Sequence, residues 1–208
     1  MRKLTKSSLE ELAKEMPVLS EKEQDLYVGG DVFVMDQFGH IINTVSDSTK
    51  HGLMIEGTGP DNSGVYTDLD SGVMPVERYR DESGNKVPDG LYFEGDNVKL
   101  SLFEFLADNT KVEWGMSYNK GEDGGYLDTM HQESSSTHHG SRDKYDSFVH
   151  NHAGGTWASP DDLTTFDQYN TPNKNGNKYD NFSIYNEQTH EYEEYMKLGD
   201  KWVRDYPS

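Results

Sequence analysis

Between Phe148 and Leu163 the chain carries a run that limits its fold more than any other. Phe148 and Val149 lead into His150 and His152, a Gly-rich turn follows through Gly154 and Gly155, and Ser159-Pro160-Asp161-Asp162 opens the next segment. In an extended stretch side chains alternate between faces, so His150 and His152 share one face. Ser159 suits a helix N-cap, Pro160 the first helical position, and the two aspartates the positive end of a helix dipole. A helix that begins at Pro160 holds Asp162 in its first turn, facing back toward the histidines. Two imidazoles, a carboxylate and a water make the donor set of an open, catalytic zinc site. Spacing alone leaves a second reading open, in which Asp162 only stabilises the helix terminus and the histidines lie on the surface.

The order His150-x-His152, six residues, Ser159, two residues, Asp162 resembles the zinc motif of the JAB/MPN (JAMM) metallopeptidases, above all the JAB-like toxin domains of bacterial polymorphic toxin systems. The resemblance implies an α+β fold, a cytidine-deaminase-like mixed sheet flanked by helices. It also implies Zn2+ held by His150, His152 and Asp162, and hydrolysis of peptide or isopeptide bonds, often beside a ubiquitin-like tail. A protein or peptide is then the substrate and an immunity protein a partner. The gap between His152 and Ser159 is one residue shorter than usual in that family, and Ala153 stands where a proline is common.

The family also uses an upstream glutamate. Leu100 to Ala107 reads as a helix with an apolar stripe at Leu102, Phe103 and Leu106, and Lys111 to Tyr118 alternates like a strand. Helix, short turn and strand give Glu113 as the counterpart, in a Glu-x-Gly setting where many relatives have Glu-x-x-Gly. Glu104 is the rival and is expected to be solvated on its helix. By the same resemblance Glu113 acts as general base and then acid, and Ser159 donates to the oxyanion, although capping the helix competes for its hydroxyl.

Composition narrows the alternatives. A chain of 208 residues suits one domain. Leu, Ile, Val and Phe supply only 39 of them, below the level expected of a well-filled core. Thirteen Tyr and three Trp must therefore share the packing, and long polar loops are expected. The net charge of −19 opposes a nucleic-acid partner, because phosphate binding needs a basic face. A metal-dependent nuclease, suggested by the letters of His150-Asn151-His152, is disfavoured on that ground. No cysteine is present, which excludes disulfides and thiolate metal sites. No apolar run is long enough to enter a membrane. The remaining alternative to a peptidase is a non-catalytic secreted binding protein on a JAB scaffold.

Residues 1–30 read as a separate segment. A weakly amphipathic stretch from Ser8 to Lys14 ends at Pro17, and Leu19-Ser20, Glu23, Leu26 and Gly29-Gly30 follow. This resembles the double-glycine leaders of bacteriocin-type peptides, which implies cleavage after Gly30 by a leader-cleaving ABC exporter and secretion from a bacterium. From Asp31 the texture turns β-rich. Val32 to Asp36 and His40 to Val45 flank a turn as a hairpin, Leu53 to Ile55 and Leu91 to Phe93 read as short strands, and 65–90 as mostly loop with a turn at 81–85. The expected organisation is a leader-like export segment at 1–30, a β-rich N-terminal extension at 31–95 and a JAB-like core at 96–208. Within the core, 119–144 reads as a polar insertion with a strand near 126–130, bordering the cleft. His138 and His139 in it read as solvated, because adjacent residues point apart. A helix over 161–169, a strand at 181–186, a turn holding His190 and a strand at 191–196 complete the chain, with Tyr192, Tyr195 and Trp202 closing the core.

Overall fold

The computed structural model describes residues 30–47, 49–80, 86–133, 141–152 and 157–204. The leader-like segment through Gly29, the turn at 81–85, His138 with His139, and the Gly loop at 153–156 lie outside the described residues.

Asp36 starts the first turn by accepting from the backbone N–H groups of Phe38 and His40 at 2.8 and 2.9 Å. Gly39 takes the left-handed conformation the turn needs (φ 80°). The turn joins β1 (Gly30–Met35) to β2 (Ile41–Asp47), paired antiparallel as the alternation predicts. β3 (Gly52–Ile55) lies parallel to β1, and β4 (Val65–Asp68) pairs antiparallel with β3. These four make one sheet in the order β2-β1-β3-β4.

The other strands make an eight-stranded sheet. They are β5 (Val76–Arg80), β6 (Lys86–Gly95), β7 (Trp114–Tyr118), β8 (Gly125–Thr129), β9 (Ser147–His152), β10 (Asn181–Asn186), β11 (Glu191–Leu198) and β12 (Lys201–Arg204). Their order is β12-β11-β10-β9-β7-β8-β6-β5. All neighbours are antiparallel except β9 and β10. The helix α2 (Pro160–Asn170) connects those two, the kind of crossover that parallel neighbours require. A second helix, α1 (Leu100–Asn109), connects β6 to β7. Mixed sheets with two helices make the fold α+β.

Alternation along the central strands sorts the core into two layers. On one face Trp114, Met116, Leu127 and Val149 join Phe103 and Leu106 of α1, and Phe33, Met35, Leu53 and Ile55 of the small sheet, in one buried cluster. On the other face Phe148, Phe182, Ile184, Tyr126 and Tyr195 pack with Phe166 of α2 and with Tyr179. Among the described residues no helix is long and apolar enough to cross a membrane.

Several expectations change. The stretch 65–90 is not mostly loop: it contains β4, β5 and the start of β6. Its strands were hidden because β5, at the sheet edge, carries Glu77 and Arg78, charges that suit an edge strand and blur the apolar alternation. The large sheet draws strands from both sides of residue 95, since β5 and β6 belong to it. Residues 125–129 are not part of a loosely packed insertion: β8 is buried throughout and lies between β6 and β7. Strand β7 begins at Trp114, one residue after Glu113. A final strand, β12, pairs with β11 and was not anticipated.

Candidate metal centre

His150 and His152 end strand β9, which neighbours cover on both sides, and only 3% and 7% of their surfaces are exposed. The spacing of two puts both rings on the α2 face. His150 packs beside Phe148 and Phe166, with ring centroids 5.6 and 6.3 Å away. Above them α2 starts with the anticipated cap. Ser159 Oγ accepts from the Asp162 N–H at 3.2 Å, and the Asp162 carboxylate accepts from the Ser159 N–H at 2.6 Å. This reciprocal pair locks Asp162 in the first turn with its carboxylate turned back toward β9. The N-terminus is tied down from the side as well: Ala158 N–H donates to the Tyr195 hydroxyl at 3.0 Å, and Arg204 lies over the Trp157 ring at 3.6 Å.

The result is a convergence of three donors. His150 Nε2 and His152 Nε2 are 2.9 Å apart, and they lie 3.2 and 3.3 Å from the Asp162 Oδ1 and Oδ2 atoms. At these distances the ring nitrogens and the carboxylate either share hydrogens, an Nε2–H donating to its neighbour, or share a cation. Burial pushes the His150 ring toward its neutral form, with the Asp162 hydrogen bond and charge opposing and the His152 charge adding. Burial would raise the Asp162 carboxyl, but the hydrogen bonds from both imidazoles, the His150 charge and the Ser159 contact outweigh it and hold the group ionised. Two neutral imidazoles and a carboxylate are the donors zinc takes. Two ligands at about 2.0–2.1 Å from a tetrahedral ion stand about 3.3 Å apart, close to the separations found. The residues therefore fit the ion.

Glu113 is not among the donors that lie within 4.8 Å of one another. Its backbone is fixed by the Gln132 carbonyl, which accepts from its N–H at 2.9 Å, and by the Thr129 hydroxyl, which donates to its carbonyl at 2.7 Å. The pairing of β7 with β9 ends at Gly115 and His150, where the Trp114 N–H turns to the Asn151 side chain, so Glu113 lies just beyond the ladder. Glu104 lies on α1, across the sheet from the histidines, and accepts from the Tyr192 hydroxyl at 2.7 Å, so it is paired rather than solvated. His190 sits in the turn after β10, with its Nδ1 3.2 Å from the Asp108 carboxylate.

Two residues near the site were not anticipated. Asn151, between the histidines and facing the other way, is fully buried. It accepts from the Trp114 N–H at 2.6 Å and donates to the Val112 carbonyl at 3.3 Å and to Glu187. Asp128 shares a row with Gly115 and His150 and is 3% exposed; burial pushes its carboxyl up, with Arg78 partly offsetting it. In both cases the signal was a polar side chain inside an apolar strand.

No curated protein and no solved structure matches the chain at a significant level. Residues 92–172, less than half of the chain, match the model of a family described as JAB-like toxin 1. That stretch contains α1, Glu113, β7 to β9 and α2, so the match supports a likeness to JAB-like toxins for the segment that carries the site.

Proposed function

We propose that this protein is a zinc-dependent hydrolase of amide or isopeptide bonds, of the JAMM type and with the JAB/MPN arrangement, acting as an exported bacterial toxin. The observation that carries the reading is the convergence of His150, His152 and Asp162 beneath the capped start of α2. Zinc bound there would supply Lewis acidity that activates water and polarises a carbonyl. His150 and His152 hold the ion as neutral donors, and Asp162 supplies the compensating charge, kept ionised by its neighbours. Glu113 takes a proton from the attacking water and delivers it to the leaving amine. A base in that role reaches the water, not the ion, which accords with its place outside the donor cluster. Ser159 caps the helix by accepting, so its own hydroxyl proton remains to be donated to the tetrahedral oxyanion.

The substrate is a protein or peptide, with a ubiquitin-like tail as one candidate class and an immunity protein as the protective partner. The segment through Gly29-Gly30 is the export leader, removed by an ABC exporter. The test is metal content together with cleavage of peptide and isopeptide substrates. Glu113→Gln should keep the zinc on β9 and lose turnover by about 10²- to 10⁴-fold, whereas His152→Ala should lose both that ion and turnover. Equal loss of zinc in the two variants would make Glu113 a ligand and end its role as base. Wild-type protein that holds no zinc at His150, His152 and Asp162 would favour the binding-protein reading.

A further inference from the structure

A second set of donors stands where the two sheets meet. His40 follows the β1–β2 turn of the small sheet, Glu77 lies on β5 at the edge of the large one, and His131 follows β8. Their ligand atoms all lie within 4.8 Å of one another. The His40 and His131 rings stack, with centroids 3.8 Å apart and planes 28° apart.

The protonation pattern of His131 makes this more than a cluster. Its Nδ1 is 3.0 Å from the Phe38 carbonyl oxygen. A carbonyl can only accept, so Nδ1 carries the hydrogen, and Nε2 of the neutral ring is a bare lone pair. That Nε2 is buried, on a side chain 5% exposed, and has no hydrogen-bond partner; it faces Glu77 Oε2 at 3.5 Å. A lone pair aimed at a carboxylate calls for a cation between them. An Nδ1–H fixed on a backbone carbonyl, leaving Nε2 to ligate, is how metal-bound histidines are oriented. The backbone contributes too. His131 sits at φ 56°, a sparsely used region for this residue, and its N–H donates to the Thr129 hydroxyl at 3.2 Å. The other Glu77 oxygen accepts from Ile41 N–H at 3.4 Å, so the carboxylate already bridges to the small sheet.

We propose that His40, Glu77 and His131 form a second divalent-metal site, of the zinc class, that ties the β1–β2 hairpin to the edge of the large sheet. Two imidazoles and a carboxylate suit zinc and similar borderline ions better than calcium or magnesium. His131 and Glu77 are fixed, while His40, exposed on its turn, swings its ring to complete the set. The site shares no residue with the centre on β9, and its test does not depend on catalysis.

The experiment is zinc counting on the full chain, stripped of metal and then dialysed against zinc at a low buffered free concentration. Wild type should hold two ions, His40→Ala one, Asp162→Asn one and the double variant none. A nitrogen NMR titration should show zinc shifting the His131 Nε2 signal. A single wild-type ion, lost in Asp162→Asn and untouched by His40→Ala, overturns the second site while leaving the first intact. A doubly protonated His131 ring that zinc does not move also overturns it, and identifies the cation beside Glu77 as a proton. Loss confined to His40→Ala would instead leave the second site standing and count against the first.

Discussion

The two donor clusters use the same chemistry, imidazole pairs with one carboxylate, in opposite surroundings. The cluster on β9 lies inside the aromatic layer under α2, so the side chains that position it are core side chains. The cluster at His40, Glu77 and His131 lies where two sheets meet, with one exposed member on a turn. The difference teaches that a donor set built by the core shares its fate with the core, whereas one at a junction can be removed without unfolding either sheet.

That contrast is open to attack in steps of decreasing size. Phe166 is fully buried, stacks on Phe182 at 4.5 Å and adjoins His150. Phe166→Ala should therefore cost about 3–5 kcal/mol in urea unfolding and weaken zinc binding on β9, while the His131 NMR signals stay in place. Retention of full zinc affinity on β9 after that change would break the link between core and site. Ser159→Ala removes half of the reciprocal cap and should cost about 1 kcal/mol, again from denaturant curves. Zinc should be retained, because the Ser159 backbone N–H still orients Asp162.

Acid probes the far end of α2. Hydrogen bonds from Asn173, Asn177 and Asn175 hold the Asp143 carboxyl at about 2, below its ordinary 3.8. A depressed carboxyl stabilises the fold above its unfolded value and loses that contribution as pH falls through its folded one. Amide shifts across residues 173–177 should hold at pH 4 and move only as the pH approaches about 2. Movement already at pH 4 would mean the three amides do not grip that carboxylate. The smallest effect belongs to the junction: without zinc, His40→Ala should change stability by no more than about 0.5 kcal/mol. A larger loss would show that the ring stack holds the sheets together by itself.

The β9 cluster was legible because its members fall within thirteen consecutive residues, His150 to Asp162. Strand alternation and helix capping are local rules, and together they aim Asp162 at the histidines with no knowledge of the rest of the chain. The junction cluster was not legible. His40, Glu77 and His131 come from three distant segments, and only the pairing of β5 with β6 and β6 with β8 brings the last two together. Glu113 is intermediate: the strand that follows it could be anticipated, but that strand starts at Trp114 and its pairing with β9 stops at Gly115, short of Glu113. The segment 119–144 misled because Gly and polar residues on either side masked the short apolar core of β8. Part of β4 to β6 was obscured in the same way by charges at an exposed edge.

Asn151 has a consequence for how β9 can pair at all. A shift of one residue between β7 and β9 would turn both imidazoles toward α1 and leave an amide beneath α2. The side chain that would be displaced is the one gripping the Trp114 N–H, the Val112 carbonyl and Glu187. It therefore acts as a latch against misalignment, set between the two residues whose direction it protects. Replacing it with leucine would endanger the orientation of the pair, even though neither histidine is touched.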